Sequence, residues 1–411
     1  MEQNKKSYAL PIAMMFALFF MVAFVTGLPA PFGVIVKNQF GASDFMSTLG
    51  FFANFIAYAF MGIPAGMLLE RVGYKKTALL AVVVGFSGVG VQYLSGVVGS
   101  FNVYIAGAFI SGFSMCMLNT VVNPMLNTLG GGGKKGNQLI QTGGSLNSVA
   151  ATIVPVLVGY LMGATAAERT IDKANPALFI AMGIFAMVFI VLYIMEIPEP
   201  RLIGKVKIKH AHSPMAFRHF KLGALAIFVY VGVEIGIPHF ANLFMTSDLN
   251  NGGLAIDPTI AGSVVGTYWF LMMIGRLTGA SLGAKYSSKS MLIVVATLGL
   301  IFVLLAILMP VTTTVSMPVF QSNISFGLAN VPIGIMFLIF CGLCTSVMWG
   351  GIFMMMVAGG GILPLIQGGI ADSTSYMTSY WVIFFGLAYM LFYALIGSKN
   401  VNKDIPVAVI V

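Results

Sequence analysis

The chain has 411 residues, of which 58% are hydrophobic and only 8% are charged. Soluble globular proteins carry about a quarter charged residues, so this composition excludes that class and indicates that lipid surrounds most of the chain. The net charge of +9 is carried by short connectors between apolar stretches. That distribution favours a lipid bilayer, rather than a nucleic acid, as the partner of the basic residues.

Uncharged stretches long enough to cross a bilayer recur along the whole length. Since about 20 residues at a rise of 1.5 Å per residue cross the hydrocarbon core, each stretch predicts one membrane-spanning helix. We number these spans 1 to 12 in chain order. Their predicted ranges are 8–36, 45–69, 77–97, 103–126, 143–164, 176–197, 222–245, 260–284, 290–310, 328–349, 350–371 and 377–397.

Basic residues are distributed unevenly between the connectors on the two sides of the membrane. With the N-terminus placed in the cytoplasm, 17 of the 21 Lys and Arg residues fall in cytoplasmic connectors or tails. Cytoplasmic loops carry an excess of Lys and Arg. The sequence therefore predicts a multi-pass protein of the cytoplasmic (inner) membrane, with an even number of spans and with both termini in the cytoplasm.

The longest polar connector, 198–221, divides the chain into two six-helix halves, 1–197 and 222–411. We interpret its six basic residues as a cytoplasmic linker that lies on anionic headgroups. Secondary transporters built from duplicated repeats have this arrangement, with the substrate site near the midplane between the halves. The predicted fold class is an all-α membrane protein of twelve spans in two pseudo-symmetric halves.

Amide side chains cluster in the first half. Asn119 and Asn123 of span 4 stand one helical turn apart and therefore share a face, and Gln141 and Asn147 follow in span 5. Carboxamides both donate and accept hydrogen bonds, so they suit a neutral polyhydroxylated ligand. Hydrogen bonding between helices around Pro124 is the alternative.

Span 7 contains Glu234, an acidic residue deep inside an apolar stretch. A carboxylate there indicates a proton or cation carrier or a sugar ligand, and a structural ion pair with Arg276 of span 8 is the alternative. Tyr230 precedes Glu234 by one helical turn. His239, next to Pro238 near the external end, is interpreted as an interfacial histidine rather than as a proton relay.

Aromatic side chains that can stack on a pyranose ring include Tyr58, one turn after Asn54 in span 2, and Trp349 at the end of span 10. Packing or interfacial anchoring is the alternative for each. The connectors contain no set of nucleophile, base and orienting residue and no metal-ligand cluster. We therefore expect neither an enzyme nor a metal or cofactor site, and no obligate protein partner is evident.

Several motifs resemble those of a known transporter family. The segment 66–76 (GMLLERVGYKK) resembles the signature loop of the major facilitator superfamily, with Glu70 where an Asp is usual. The segments 119–124 (NTVVNP), 230–237 (YVGVEIGI) and 359–368 (GGGILPLIQG) are similar to the fucose–galactose–glucose symporter family. The likeness runs over nearly the whole chain and is strongest to glucose/galactose porters of Bacteroides-type bacteria.

This resemblance implies a function and three gating residues. It implies uptake of a neutral monosaccharide, glucose or galactose with fucose as a further candidate, by alternating access coupled to a proton or sodium. Glu70 and Arg71 would brace the cytoplasmic gate, and Arg276 would act in the degenerate counterpart of the second half.

Two departures from the family pattern motivate an alternative. The family's acids in helices 1 and 4 fall near Ala30 and at Asn119, so Glu234 is the intramembrane carboxylate that remains for coupling. The segment 330–367 contains no charged residue, so spans 10 and 11 are abnormally abutted or part of the transporter is missing. The alternative function is a non-transporting sugar-binding membrane sensor or a defective descendant of a transporter.

Overall fold

Helices dominate the computed structural model, which describes residues 8–161, 170–197, 199, 216–282, 285–321, 325–345, 354–399 and 401. Each of the twelve predicted spans overlaps with a helix, and span 1 overlaps with two. The helices of spans 1 to 6 are Ala9–Gly27 with Pro29–Phe40, Leu49–Val72, Tyr74–Val98, Phe101–Leu129, Gly133–Leu161 and Ile171–Ile194. Those of spans 7 to 12 are Arg218–Thr246, Pro258–Leu282, Ser288–Leu308, Ile333–Thr345, Gly359–Ser373 and Trp381–Phe392.

Shorter elements lie at the ends of several spans. In chain order they are the helix Asp44–Ser47, the 3₁₀ turns Leu249–Asn251 and Met354–Ala358, the helix Tyr376–Ser379 and the π turn Tyr393–Gly397. With span 12 taken from Tyr376 to Gly397, nine helices in the described part of the chain are long and apolar enough to cross a membrane. The most hydropathic of the nine, span 9, is also the least buried by protein. A helix surrounded mainly by lipid has to be apolar on all sides, which explains why the helix least buried by protein also has the highest hydropathy.

Span 1 is interrupted in the middle. Its first helix ends at Gly27 and its second begins at Pro29. Proline lacks a backbone N–H and its ring clashes with the carbonyl one turn earlier, so it breaks an α-helix. The interruption lies beside the cavity described below.

A β-hairpin between spans 9 and 10 was not predicted. Strand β1, Thr314–Phe320, pairs antiparallel with β2, Phe326–Pro332. The prediction that span 10 begins at residue 328 is therefore wrong, because its helix begins at Ile333. Residues 326–332 are uncharged like a membrane span, and hydropathy alone does not reveal that β1 satisfies their backbone groups.

The two ends of the helix bundle have different characters. The hairpin lies with the C-terminal ends of spans 1, 7 and 11, and Phe320 N donates to Ser263 Oγ near the start of span 8 at 2.9 Å. We call this the hairpin end. The opposite end carries the loop 71–76 and the glycine turn 130–132, together with Lys135, Lys221 and Lys285, and we call it the basic end.

The two six-helix halves meet along two pairs of spans, 5 with 8 and 2 with 11. Glycines allow close approach at both pairs. A Cβ on Gly262 would lie 2.6 Å from Pro155 O, and one on Gly361 would lie 2.8 Å from Phe52 Cα. Apolar side chains form one large buried cluster mainly in the first half and a second one in the second half.

Two predicted features lie outside the described residues. The junction of spans 10 and 11 falls on residues 346–353, which include Trp349, and most of the linker 198–221 is likewise outside. Span 7 begins at Arg218, so its first turn lies within the range predicted for the linker.

Candidate substrate site between the halves

A cavity of about 140 Å³ lies between the two halves. About 10–15 Å³ by this measure is enough to admit one buried water, so the cavity has room for several water molecules. Spans 1, 2, 4 and 5 line it from the first half, and spans 7 and 8 line it from the second. Polar side chains on the wall of this central cavity include Tyr58, Asn119, Asn147, Glu234, His239 and Trp269.

Spans 4 and 2 present a hydrogen-bonded pair to the cavity. Asn119 Nδ2 donates to Tyr58 Oη at 3.1 Å and to Met115 O at 3.1 Å. Both amide hydrogens are therefore engaged, which leaves Asn119 Oδ1 to accept. Tyr58 Oη accepts from Asn119 and keeps its own hydrogen to donate. The pair thus offers a ligand an acceptor and a donor side by side, as a hydroxyl group requires.

The other amides predicted for the site occupy different places. Asn147 is on the cavity wall and its Nδ2 donates to Phe19 O of span 1 at 3.2 Å. Asn123 donates to Asn119 O at 3.0 Å, within its own helix, and is absent from the described cavity wall. Gln141 lines a separate cavity of about 730 Å³ at the basic end.

Two residues predicted to bind substrate are buried in packing instead. Asn54 Nδ2 donates to Ala108 O at 3.2 Å, a bond that ties span 2 to span 4. This contact stabilises the arrangement of the two spans that carry Tyr58 and Asn119. Tyr230 is 2% exposed and lies off the described wall. The sequence predicts which face of a helix a residue occupies. It does not predict which neighbouring helix covers that face.

Glu234 forms the ion pair that the sequence left as an alternative. Arg276 Nη2 donates to Glu234 Oε1 at 3.1 Å, and both side chains are largely buried. Arg276 Nη1 also donates to Gly144 O at 2.6 Å and to Ser148 Oγ at 2.9 Å on span 5. Arg276 therefore connects the carboxylate of span 7 to the other half of the molecule, at a buried position between spans 5, 7 and 8.

A second polar contact joins the halves at the hairpin end. Lys37 Nζ lies 2.5 Å from Asp44 Oδ1, 2.6 Å from Tyr376 Oη and 3.0 Å from Ser247 Oγ. Asp372 at the end of span 11 accepts from Asp44 N at 2.7 Å and from Phe45 N at 2.9 Å. We call Lys37, Asp44, Ser247, Asp372 and Tyr376 the hairpin-end network.

This network borders a second cavity. All its members except Tyr376 line this space of about 540 Å³, which we call the vestibule, and none of them is on the described wall of the central cavity. Sequence analysis missed this network. Its members come from three separate stretches of the chain, 37–44, residue 247 and 372–376, and no spacing along the sequence connects the three stretches.

The loop predicted to act as a gate lies at the basic end. Glu70 and Arg71 are exposed at the C-terminal end of span 2. Glu199 accepts from Tyr74 N at 2.9 Å and from Lys75 N at 3.1 Å, so it caps the N-terminus of span 3. Lys75 Nζ donates to Met195 O at 2.6 Å, which ties the loop to the end of span 6.

The structure corrects the interpretation of His239. The sequence places it at the membrane interface, yet the side chain is 1% exposed and lies on the wall of the central cavity. The position of His239, after Pro238 and near the end of an apolar run, favours the interpretation as a residue at the membrane interface. Burial by Phe51 from the other half could not be anticipated from span 7 alone.

Comparison with known proteins identifies one family model and several relatives. The model of the Major Facilitator Superfamily matches residues 15–350. A glucose/galactose transporter of Brucella abortus biovar 1 (strain 9-941) is 29% identical over 412 residues, covering 97% of this chain and 96% of the relative. The L-fucose-proton symporter of Escherichia coli (strain K12) is 20% identical over 407 residues, covering 90% of this chain and 89% of the relative.

Two solved structures are also similar. A crystal structure of the E. coli fucose:proton symporter superimposes with a TM-score of 0.66 at 17% identity, covering 96% of this chain and 100% of that one. A bacterial homologue of the human lysosomal transporter Spinster, inward-facing and occupied, gives a TM-score of 0.61 at 14% identity, with 99% of both chains covered. At these identities the likeness establishes a shared fold.

Proposed function

This chain belongs to the major facilitator superfamily, and from that premise we propose that it is a secondary transporter that carries a neutral monosaccharide across the cytoplasmic membrane by alternating access. Glucose and galactose are the leading substrates, because a relative that aligns over nearly the full length bears the name glucose/galactose transporter. Fucose is a further candidate, since a more distant relative is an L-fucose-proton symporter.

The central cavity is the observation that carries this proposal. It is enclosed by spans of both halves, as a midplane site in a two-half transporter has to be. Its polar wall includes amides and hydroxyls, and Glu234, the one acidic side chain on that described wall, is already paired with Arg276. Such groups suit hydroxyl-bearing neutral ligands better than charged ones. Tyr58, Asn119 and Asn147 are the proposed substrate-binding residues.

Coupling to a proton or sodium is proposed to act through Glu234. A carboxylate buried inside a span marks ion pathways and proton relays. Neutralising Glu234 removes the charge that holds Arg276 Nη2, and Arg276 also holds Gly144 and Ser148 of the opposite half. Loading of the ion and movement of the halves are linked through this one arginine.

The basic end is proposed to face the cytoplasm, with both termini there, because Lys and Arg accumulate in cytoplasmic loops. The proposed halves are residues 1–197 and 222–411, joined by a linker at 198–221. The hairpin-end network then closes the external side. Exposed Glu70 and Arg71 belong to the proposed cytoplasmic gate, which is open when the external side is closed.

Uptake into proteoliposomes tests the proposal. The purified full chain is assayed with labelled glucose, galactose and fucose, each with no gradient, with an inward pH gradient and with an inward sodium gradient. We expect saturable uptake of at least one sugar and accumulation with one of the two gradients. Absence of saturable uptake of all three sugars under all three conditions would overturn the proposal.

A further inference from the structure

His239 is a buried polar side chain without a hydrogen-bond partner. It is 1% exposed, and neither Nδ1 nor Nε2 has a partner in the described part of the chain. Burying such a group without a hydrogen bond lowers stability, so a natural protein that keeps one requires an explanation. Of the polar side chains on the described cavity wall, His239 is the one whose polar atoms are all buried and all without a hydrogen-bond partner.

The imidazole is held in place by contacts from both halves. Its ring meets Phe51 of span 2 edge to face at a centroid distance of 4.6 Å, and Phe240 of its own span at 5.2 Å. Gly33 of span 1 also lies against it, since a Cβ there would be 3.4 Å from Cε1 of the ring. These contacts fix the ring without using either nitrogen.

The free nitrogens match a particular ligand chemistry. A neutral imidazole presents one N–H donor and one bare nitrogen acceptor. A sugar hydroxyl donates and accepts as well, and neighbouring hydroxyls can meet both nitrogens directly or through water. Because the ring lies on the cavity wall, we propose that His239 is a substrate-binding residue that forms a hydrogen bond with one specific hydroxyl of the sugar. This inference rests on the proposed function.

His239 and the Tyr58–Asn119 pair would hold the sugar from opposite halves. The pair belongs to spans 2 and 4, whereas His239 belongs to span 7. A sugar bound to both would join the halves through hydrogen bonds. The partner that the imidazole lacks without ligand is then supplied by substrate, and the occupied cavity favours the conformation described here.

Deoxy sugars combined with two variants test the inference. His239→Phe keeps a flat ring and removes both nitrogens, whereas His239→Gln keeps a donor and an acceptor. For the wild type, removing the contacted hydroxyl from the transported sugar is expected to raise KM about tenfold, because a site built to hold a hydroxyl rejects an analogue without it. His239→Phe should raise KM for the parent sugar by about the same factor and bind parent and analogue alike. His239→Gln should retain part of the discrimination.

The control is His219→Phe, the same exchange at the start of span 7 outside the central cavity, which should leave the KM pattern unchanged. Without sugar, His239→Phe should unfold at no lower temperature than the wild type, because it removes an unpartnered polar group. If His239→Phe keeps the wild-type discrimination among deoxy sugars, the inference is wrong. Should His239→Phe fail to fold, His239→Leu, which also removes both nitrogens, takes its place, and wild-type discrimination among deoxy sugars in that variant contradicts the inference equally. Wild-type protein that transports no hexose would instead refute the proposed function.

Discussion

Glu234 and Arg276 are the residues through which we propose that ion coupling acts. Their ion pair is buried, and the same arginine bonds two groups of span 5. A buried charge that loses its partner is costly, whereas the paired state is tolerated. A change in the charge of Glu234 therefore changes how Arg276 is held against the opposite half of the molecule.

We expect Glu234→Gln to abolish accumulation driven by an ion gradient and to retain sugar equilibration without one. The glutamine cannot change charge, so the halves move without an ion. Leaving Arg276 without its carboxylate should also destabilise the protein by about 3 kcal/mol, as measured by denaturant unfolding. The matched control is Glu196→Gln, which changes an exposed carboxylate at the end of span 6. Wild-type accumulation in Glu234→Gln would exclude Glu234 from coupling.

The sequence indicates which polar side chains avoid lipid, but not which neighbours they meet inside the protein. Asn119, Asn147, Tyr58 and Glu234 reach the central cavity, because polar groups inside spans avoid lipid and turn inward. The same rule selected Asn54, which also avoids lipid but does so against the backbone of span 4. The periodicity of a single helix shows which side chains face the protein interior. It does not show whether such a side chain meets a cavity or a neighbouring helix.

At the scale of elements, the ends of spans 1, 7 and 11 and the start of span 12 meet in the hairpin-end network. Asp372 accepts from two backbone N–H groups at the N-terminus of the short helix Asp44–Ser47. Charge-assisted hydrogen bonds to a helix N-terminus are among the stronger ones. Since this helix precedes span 2 of the first half, Asp372 fastens the two halves at this end.

Asp372→Asn is expected to open the hairpin end. The asparagine amide can accept at one atom only, so one of the two bonds is lost together with the charge. A reporter cysteine at Thr26, on the wall of the central cavity, should then react several-fold faster with an impermeant maleimide in vesicles whose hairpin end faces outward. The three natural cysteines are buried and give little background.

Asp248→Asn serves as the matched control, because Asp248 lines the same vestibule and its side chain makes no hydrogen bond within the described residues. Its reporter should react at the rate of the parent. Equal rates for Asp372→Asn and Asp248→Asn would show that the Asp372 contact does not hold the end closed.

The elements themselves were largely predictable. All twelve spans are predicted by uncharged runs of bilayer length. In lipid such a run has to form a helix, because a helix satisfies the hydrogen bonds of its own backbone. The hairpin β1–β2 escaped prediction, since its uncharged residues resemble a continuation of span 10 and pairing between strands leaves no mark in hydropathy. The hairpin-end network escaped for a similar reason: its residues are ordinary polar groups at span ends until the fold brings them together.

At the scale of the whole molecule, the two halves enclose the cavity and are joined by polar contacts at two levels, the Arg276 contacts beside the cavity and the hairpin-end network. Close packing of spans 5 with 8 and of 2 with 11 supplies the surfaces along which the halves can rock. The basic linker predicts the division into six and six, whereas the contacts that hold the halves together are seen only in the fold.

Translocation of a sugar by this protein is tested most directly by counterflow. Proteoliposomes loaded with an excess of unlabelled substrate sugar are diluted into a trace of labelled sugar, with no ion gradient. We expect a transient overshoot of labelled sugar inside, because the cavity opens alternately to the two sides and exchanges its content. Saturable binding of the sugar without an overshoot above protein-free liposomes would contradict the account and identify a sugar-binding protein that does not transport.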